Sequence, residues 1–192
     1  MHGGRENLWV GRHGFLPTTG STRANPAFST LIPPPMRADI GVPEKNLQEL
    51  SNRINVLLAD EHVLYVKTRN YHWNITGKSF IEYHEFLEKL YTELAEQIDE
   101  IAEEVRTMGH HSVGSMKEFL DLARLLESKQ HATGDPLKLL EELKNDHESI
   151  VKSTKQDIEK AEELGMATTA DFLVDIARYH EKTAWMLRAY LE

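Results

Sequence analysis

Residues Tyr71–Arg106 read YHWNITGKSFIEYHEFLEKLYTELAEQIDEIAEEVR, and their spacing decides both the fold and where a metal can sit. Leu87, Leu90, Leu94, Ile98, Ile101, Val105 and Met108 recur every three or four positions, the apolar stripe of an amphipathic helix. Beside that stripe runs a strip holding His84, Glu88, Asp99 and Glu103, together with the small residues Ala95 and Ala102. His84 and Glu88 are four positions apart, as are Asp99 and Glu103, so each pair shares a helical face. From His84 to Asp99 is fifteen residues, roughly 22 Å along a straight helix. Ligand bonds to iron or zinc are only about 2 Å long, so no single ion spans that gap. The four residues make one site only if two copies of the helix run antiparallel. A two-fold dimer does this by symmetry and forms two sites at once. The competing reading of alternating acids is a plain solvated face. The histidine, the alanines and the paired spacings raise a metal strip between subunits to equal weight with it, and on pattern alone both readings stay open.

Working outward, His72 lies twelve residues before His84, with Gly77 between them to turn the chain. It either delivers a second imidazole to the same end of the helix or packs as a helix-end residue. Trp73 reads as a core residue, although an indole beside a redox metal also donates electrons. No histidine has a glutamate three positions before it, whereas di-iron centres inside a bundle use that pairing. This spacing argues against such a centre here, and the remaining histidines read as structural.

Before Tyr71, Leu47, Leu50, Ile54, Leu57 and Leu58 mark a first long helix from about Pro43 to Trp73, with Pro43 as its first residue. Ser79–Glu82 reads as a capping box opening the second helix, and Gly109 closes it. A second capping box, Ser115–Glu118, opens a short helix expected to reach Ser128. Asp135-Pro136 begins a third long helix that ends before Gly165, and a fourth runs from about Thr169 to Leu191. The expected fold is all-α: a four-helix bundle with a short helix in the crossover between the second and third long helices.

Six of the seven prolines and six of the eleven glycines fall in residues 1–43. Residues 1–42 therefore read as a flexible arm, and 43–192 as the bundle domain. The arm carries Arg5, Arg12 and Arg23 against Glu6, a net +2 over residues 1–35 that leaves −11 for the rest of a −9 chain. An acidic body repels nucleic acid and attracts cations such as Fe²⁺. Absence of cysteine removes disulfides and thiolate ligands, so any transition-metal chemistry uses His, Asp and Glu. No apolar run is long enough to cross a bilayer, and the expectation is a soluble, cytoplasmic protein without a membrane partner.

His72-Trp73-Asn74, Gly77, Phe80, His84-Glu85, Asp99 and Ala102-Glu103 together resemble the signature of the Dps family, the DNA-binding proteins from starved cells or miniferritins. Ala170-Asp171 and Trp185 extend the resemblance, which covers about residues 44–192. The resemblance implies a ferritin-like bundle assembled as a hollow homo-oligomeric shell of twelve subunits. It implies oxidation of Fe²⁺, typically by hydrogen peroxide and otherwise by oxygen, with the ferric mineral stored inside as protection against oxidative damage. Carried across by position, the iron ligands are His72 and His84 from one subunit with Asp99 and Glu103 from its two-fold mate. Trp73 stands beside the iron. Glu88 stands where the family usually has Asp, and Asp171 matches an acid of the three-fold pores, with Ala167 where some members have a second Asp. The alternative it carries is a DNA-binding, nucleoid-associated shell with incidental metal binding. Members that bind DNA generally use a lysine-rich arm, and this arm has no lysine.

Overall fold

The computed structural model describes residues 38–128 and 135–192. The arm expected over residues 1–42 lies outside the described residues as far as position 37. Helix α1 spans Glu44–Asn74, α2 Phe80–Thr107, α3 Met116–Leu122, α4 Pro136–Glu163 and α5 Ala167–Leu191. There is no strand among the described residues. Short links join α1 to α2 and α4 to α5, so each pair packs as a hairpin. Helix α3 lies in the crossover between the two hairpins and packs on α1.

The core follows the expected stripes. Leu47, Leu50, Ile54, Leu57 and Leu58 of α1 meet Leu87, Leu90, Leu94, Ile101 and Val105 of α2, all fully buried. Leu140, Leu143 and Ile150 of α4 and Leu173, Ile176 and Leu187 of α5 complete it. Ile98 and Ile158 sit at its margin, half-buried. Burying each such side chain contributes about 1.5–3 kcal/mol.

Three local expectations are corrected. Pro43 stands at the N-cap rather than inside α1, its carbonyl accepting from Asn46 and Leu47. Ser79 forms no capping bond: its backbone (φ −96°, ψ 29°) is already turned, and a cap needs the extended conformation. Ser115, at φ −120° and ψ 149°, has that conformation and makes the full capping box with Glu118. Helix α3 stops at Leu122, not near Ser128, because the chain beyond it is captured by buried Asp60 of α1. One carboxylate oxygen of Asp60 accepts the Arg124 and Leu125 amides at 2.6 and 3.0 Å, and the other accepts the Arg124 guanidinium at 2.7 Å. His62 stacks on Phe119 at 3.6 Å and holds α3 to the same face of α1.

Candidate metal centre

Helix α1 ends at Asn74, Ile75 is extended and buried in the core, and Gly77 turns the chain at φ 125°. That turn lays the last turn of α1 against the first of α2 and brings His72 and His84 together. The His72 Nδ1–H donates to the His84 carbonyl at 3.0 Å, and the His84 Nδ1–H donates to the His72 carbonyl at 3.0 Å. A carbonyl only accepts, so both rings carry their proton on Nδ1, and in neutral imidazole this leaves each Nε2 lone pair available. The rings stack at 3.8 Å with an interplanar angle of 22°. His72 is buried and His84 half-buried. These two bonds fix the tautomer and the orientation of both rings.

Glu88 is exposed one turn further along α2, its carboxylate 3.5 Å from the Tyr91 hydroxyl. Tyr91 in turn sets its ring edge-on to His72 at 5.1 Å. Asp99 and Glu103 are exposed near the other end of α2, with Ala95 exposed and Ala102 half-buried on the same strip. Within one subunit, no three His, Asp or Glu side chains among the described residues converge to hold an ion. The structure thus brings together His72 and His84, and leaves Asp99 and Glu103 remote from them on the same helix.

Trp73 is not a core residue. It is 63 % exposed and lies on the Arg69 guanidinium at 5.0 Å. That guanidinium also faces the rings of Tyr91 at 5.0 Å and Tyr65 at 5.5 Å, and it donates to the Tyr65 hydroxyl at 2.7 Å. The side chains around the histidines that sequence reading missed are therefore Tyr65, Arg69 and Tyr91. Tyr65, Arg69 and Trp73 recur at steps of four on α1, a signal that was open to reading. Tyr91 comes from α2 and is placed only by the hairpin. Asp171 is exposed in the opening turns of α5, whose start is tied to α2 by Thr169 donating to Glu104 at 2.7 Å.

Residues 51–192 match the ferritin-like domain family model. A low temperature-induced protein of Nostoc sp. is 39 % identical over 159 residues, covering 81 % of this chain and 87 % of that protein. DNA protection during starvation protein 2 of Bacillus anthracis is 38 % identical over 138 residues, covering 72 % of this chain and 93 % of that one. Among solved structures, a Dps protein from Vibrio cholerae superposes with a TM-score of 0.77 at 34 % identity, covering 81 % of this chain and 97 % of that chain. That protein is described as a member of a broad superfamily of ferritin-like diiron-carboxylate proteins. With a matching domain model, relatives aligned over most of their length and this bundle, the chain belongs to the Dps family of the ferritin-like superfamily.

Proposed function

We propose that this protein is a ferroxidase and iron store that oxidises Fe²⁺ at sites shared between two-fold related subunits of a twelve-subunit shell. The observation that carries the reading is the His72–His84 pair, locked through Nδ1 with both Nε2 lone pairs left for an ion. Asp99 and Glu103, ~22 Å away on the same helix, supply the oxygen ligands from the mate. Imidazole with carboxylate suits Fe²⁺, the substrate and cargo here. One peroxide takes one electron from each of two Fe²⁺, its O–O bond breaks, and with two protons it leaves as two waters. Glu88 serves the second iron, its extra methylene setting how closely it approaches. Trp73 supplies an electron when only one iron is present, and Asp171 lies on the entry path. Family membership supports the broad activity; the shared site, the oxidant and the assembly size rest on the geometry and on the resemblance.

The test is anaerobic loading with Fe²⁺ followed by hydrogen peroxide or by oxygen. Rapid ferric absorbance, faster with peroxide and with iron retained in shell-sized protein, is expected. Replacing His72 and His84 together with alanine slows the initial rate greatly. Wild-type oxidation by that double variant rejects the site. The relatives' name, DNA protection during starvation protein, favours a second reading in which the three arginines of the arm bind DNA phosphates. A gel shift at low salt that depends on residues 1–35 would promote it.

A further inference from the structure

Glu61 of α1, His147 of α4 and His180 of α5 are each fully buried in the middle of their helices, among core residues that include Leu58, Ile150 and Leu187. The His180 Nε2 lies 2.7 Å from Glu61 Oε1, and the His180 Nδ1 lies 2.8 Å from the His147 Nδ1. The approach of His180 to Glu61 is off the hydrogen-bond axis, and neither Glu61 oxygen has an aligned donor. His147 Nε2 also has no partner, nor has the hydroxyl of Thr154. A buried carboxylate left in this state is costly unless its charge is compensated.

Two nitrogens 2.8 Å apart require one proton between them, since two N–H groups clash and two lone pairs repel. His180 Nε2 and Glu61 Oε1, 2.7 Å apart, share one proton in the same way once the two groups turn into line. Glu61 and His147 meet opposite nitrogens of His180, so no single cation can touch all three groups. The arrangement is linear and suits a proton rather than a metal.

We propose that Glu61, His180 and His147 form a buried proton-exchange chain in which a proton taken up at His147 is passed through His180 to Glu61. Uptake forms an N–H bond at His147 Nε2. The proton on His147 Nδ1 moves to His180 Nδ1, and the proton on His180 Nε2 moves to Glu61 Oε1. Each group ends neutral, and the core changes from one negative charge to none. Burial first, and the neighbouring His180 second, hold the His147 pKa well below its ordinary value, which disfavours a cation at that point. The groups facing the chain are few. Glu93 of α2 stands beside the Tyr179 hydroxyl of α5, and its charge and that of Glu61 add to burial in raising the Tyr179 pKa. On α1, His62 stacks on Phe119 and feels the Glu61 charge, and Asp60 and Lys67 are each engaged in their own ion pairs, with Arg124 and with Asp146 of α4.

Thermal unfolding of the full chain between about pH 5 and 8, with infrared difference spectra over the same range, tests the chain. Each proton by which folded and unfolded states differ changes the unfolding equilibrium about tenfold per pH unit. Glu61→Gln leaves the shifted proton no acceptor, so its stability is expected to fall with acid about tenfold per pH unit more steeply than wild type. Acidified wild type is expected to gain a buried carboxylic-acid C=O band that is absent in Glu61→Gln and suppressed in His180→Gln, which breaks the chain in the middle. Identical acid slopes in Glu61→Gln and wild type, or an undiminished band in His180→Gln, would overturn the proposal. So would one divalent metal ion per subunit in purified protein that His180→Gln abolishes.

Discussion

At the scale of single residues, His72 and His84 tie α1 to α2 through Nδ1, and in the proposed site they would bind iron through a different atom, Nε2. Asparagine at position 72 places an amide N–H near the Nδ1 position and nothing at Nε2. His72→Asn is therefore expected to keep its melting temperature within a few degrees while weakening Fe²⁺ binding about tenfold or more, ~1.4 kcal/mol. Calorimetric unfolding beside an Fe²⁺ titration separates the two effects, and a variant that binds iron normally sinks the Nε2 assignment. His62 offers a residue-scale pH prediction. Burial lowers its pKa, more than the Leu58 carbonyl and Glu61 raise it, so the unfolded chain binds this proton more readily than the folded one. The stability it contributes is present above its ordinary value of 6.5 and is lost as pH falls. His62→Phe keeps the stack on Phe119 without the titration, and its unfolding midpoint should fall less between neutral pH and mild acid than that of wild type.

At the scale of elements, what was legible followed from local spacing. The stripe Leu87 to Met108 gave α2 its face and its length, because the burial that shapes it repeats every turn. The Ser115 box was legible for the same reason. The end of α3 was not, since it is set by Asp60, more than sixty residues earlier in the chain. The Glu61–His180–His147 chain escaped notice because three helices give one residue each, leaving no motif within any of them. The distance between His84 and the Asp99–Glu103 pair was legible because the rise of a helix is fixed at about 1.5 Å per residue. Asp60→Ala is expected to cost roughly 3 kcal/mol, leaving the Arg124 and Leu125 amides without their acceptor. Asp60→Asn, which keeps an oxygen, should cost less. Denaturant unfolding of both variants checks the order, and equal midpoints for both would show that Asp60 does not hold the crossover.

At the scale of the whole molecule, the strip on α2 makes assembly and chemistry one question. Ala95 is exposed in the subunit, so arginine there burdens the isolated fold little. In the proposed shared site it would place a bulky charge where two helices approach, at a penalty of several kcal/mol. Ala95→Arg is expected to keep its helical circular dichroism while losing tight iron binding and rapid oxidation together. Sedimentation alongside an oxidation assay decides it, because a dispersed monomer with full ferroxidase activity is incompatible with a shared site. The exposure of Trp73 then acquires an optical meaning. An indole 63 % open to water emits at the red end of its range, and covering it by a mate would shift its emission to the blue. Trp9 and Trp185, the latter 59 % exposed on α5, add signals of their own that Trp9→Phe and Trp185→Phe remove. In the proposed assembly the Trp73 indole would be a lamp beside the histidines: its colour would report the meeting of subunits, and its dimming the arrival of iron.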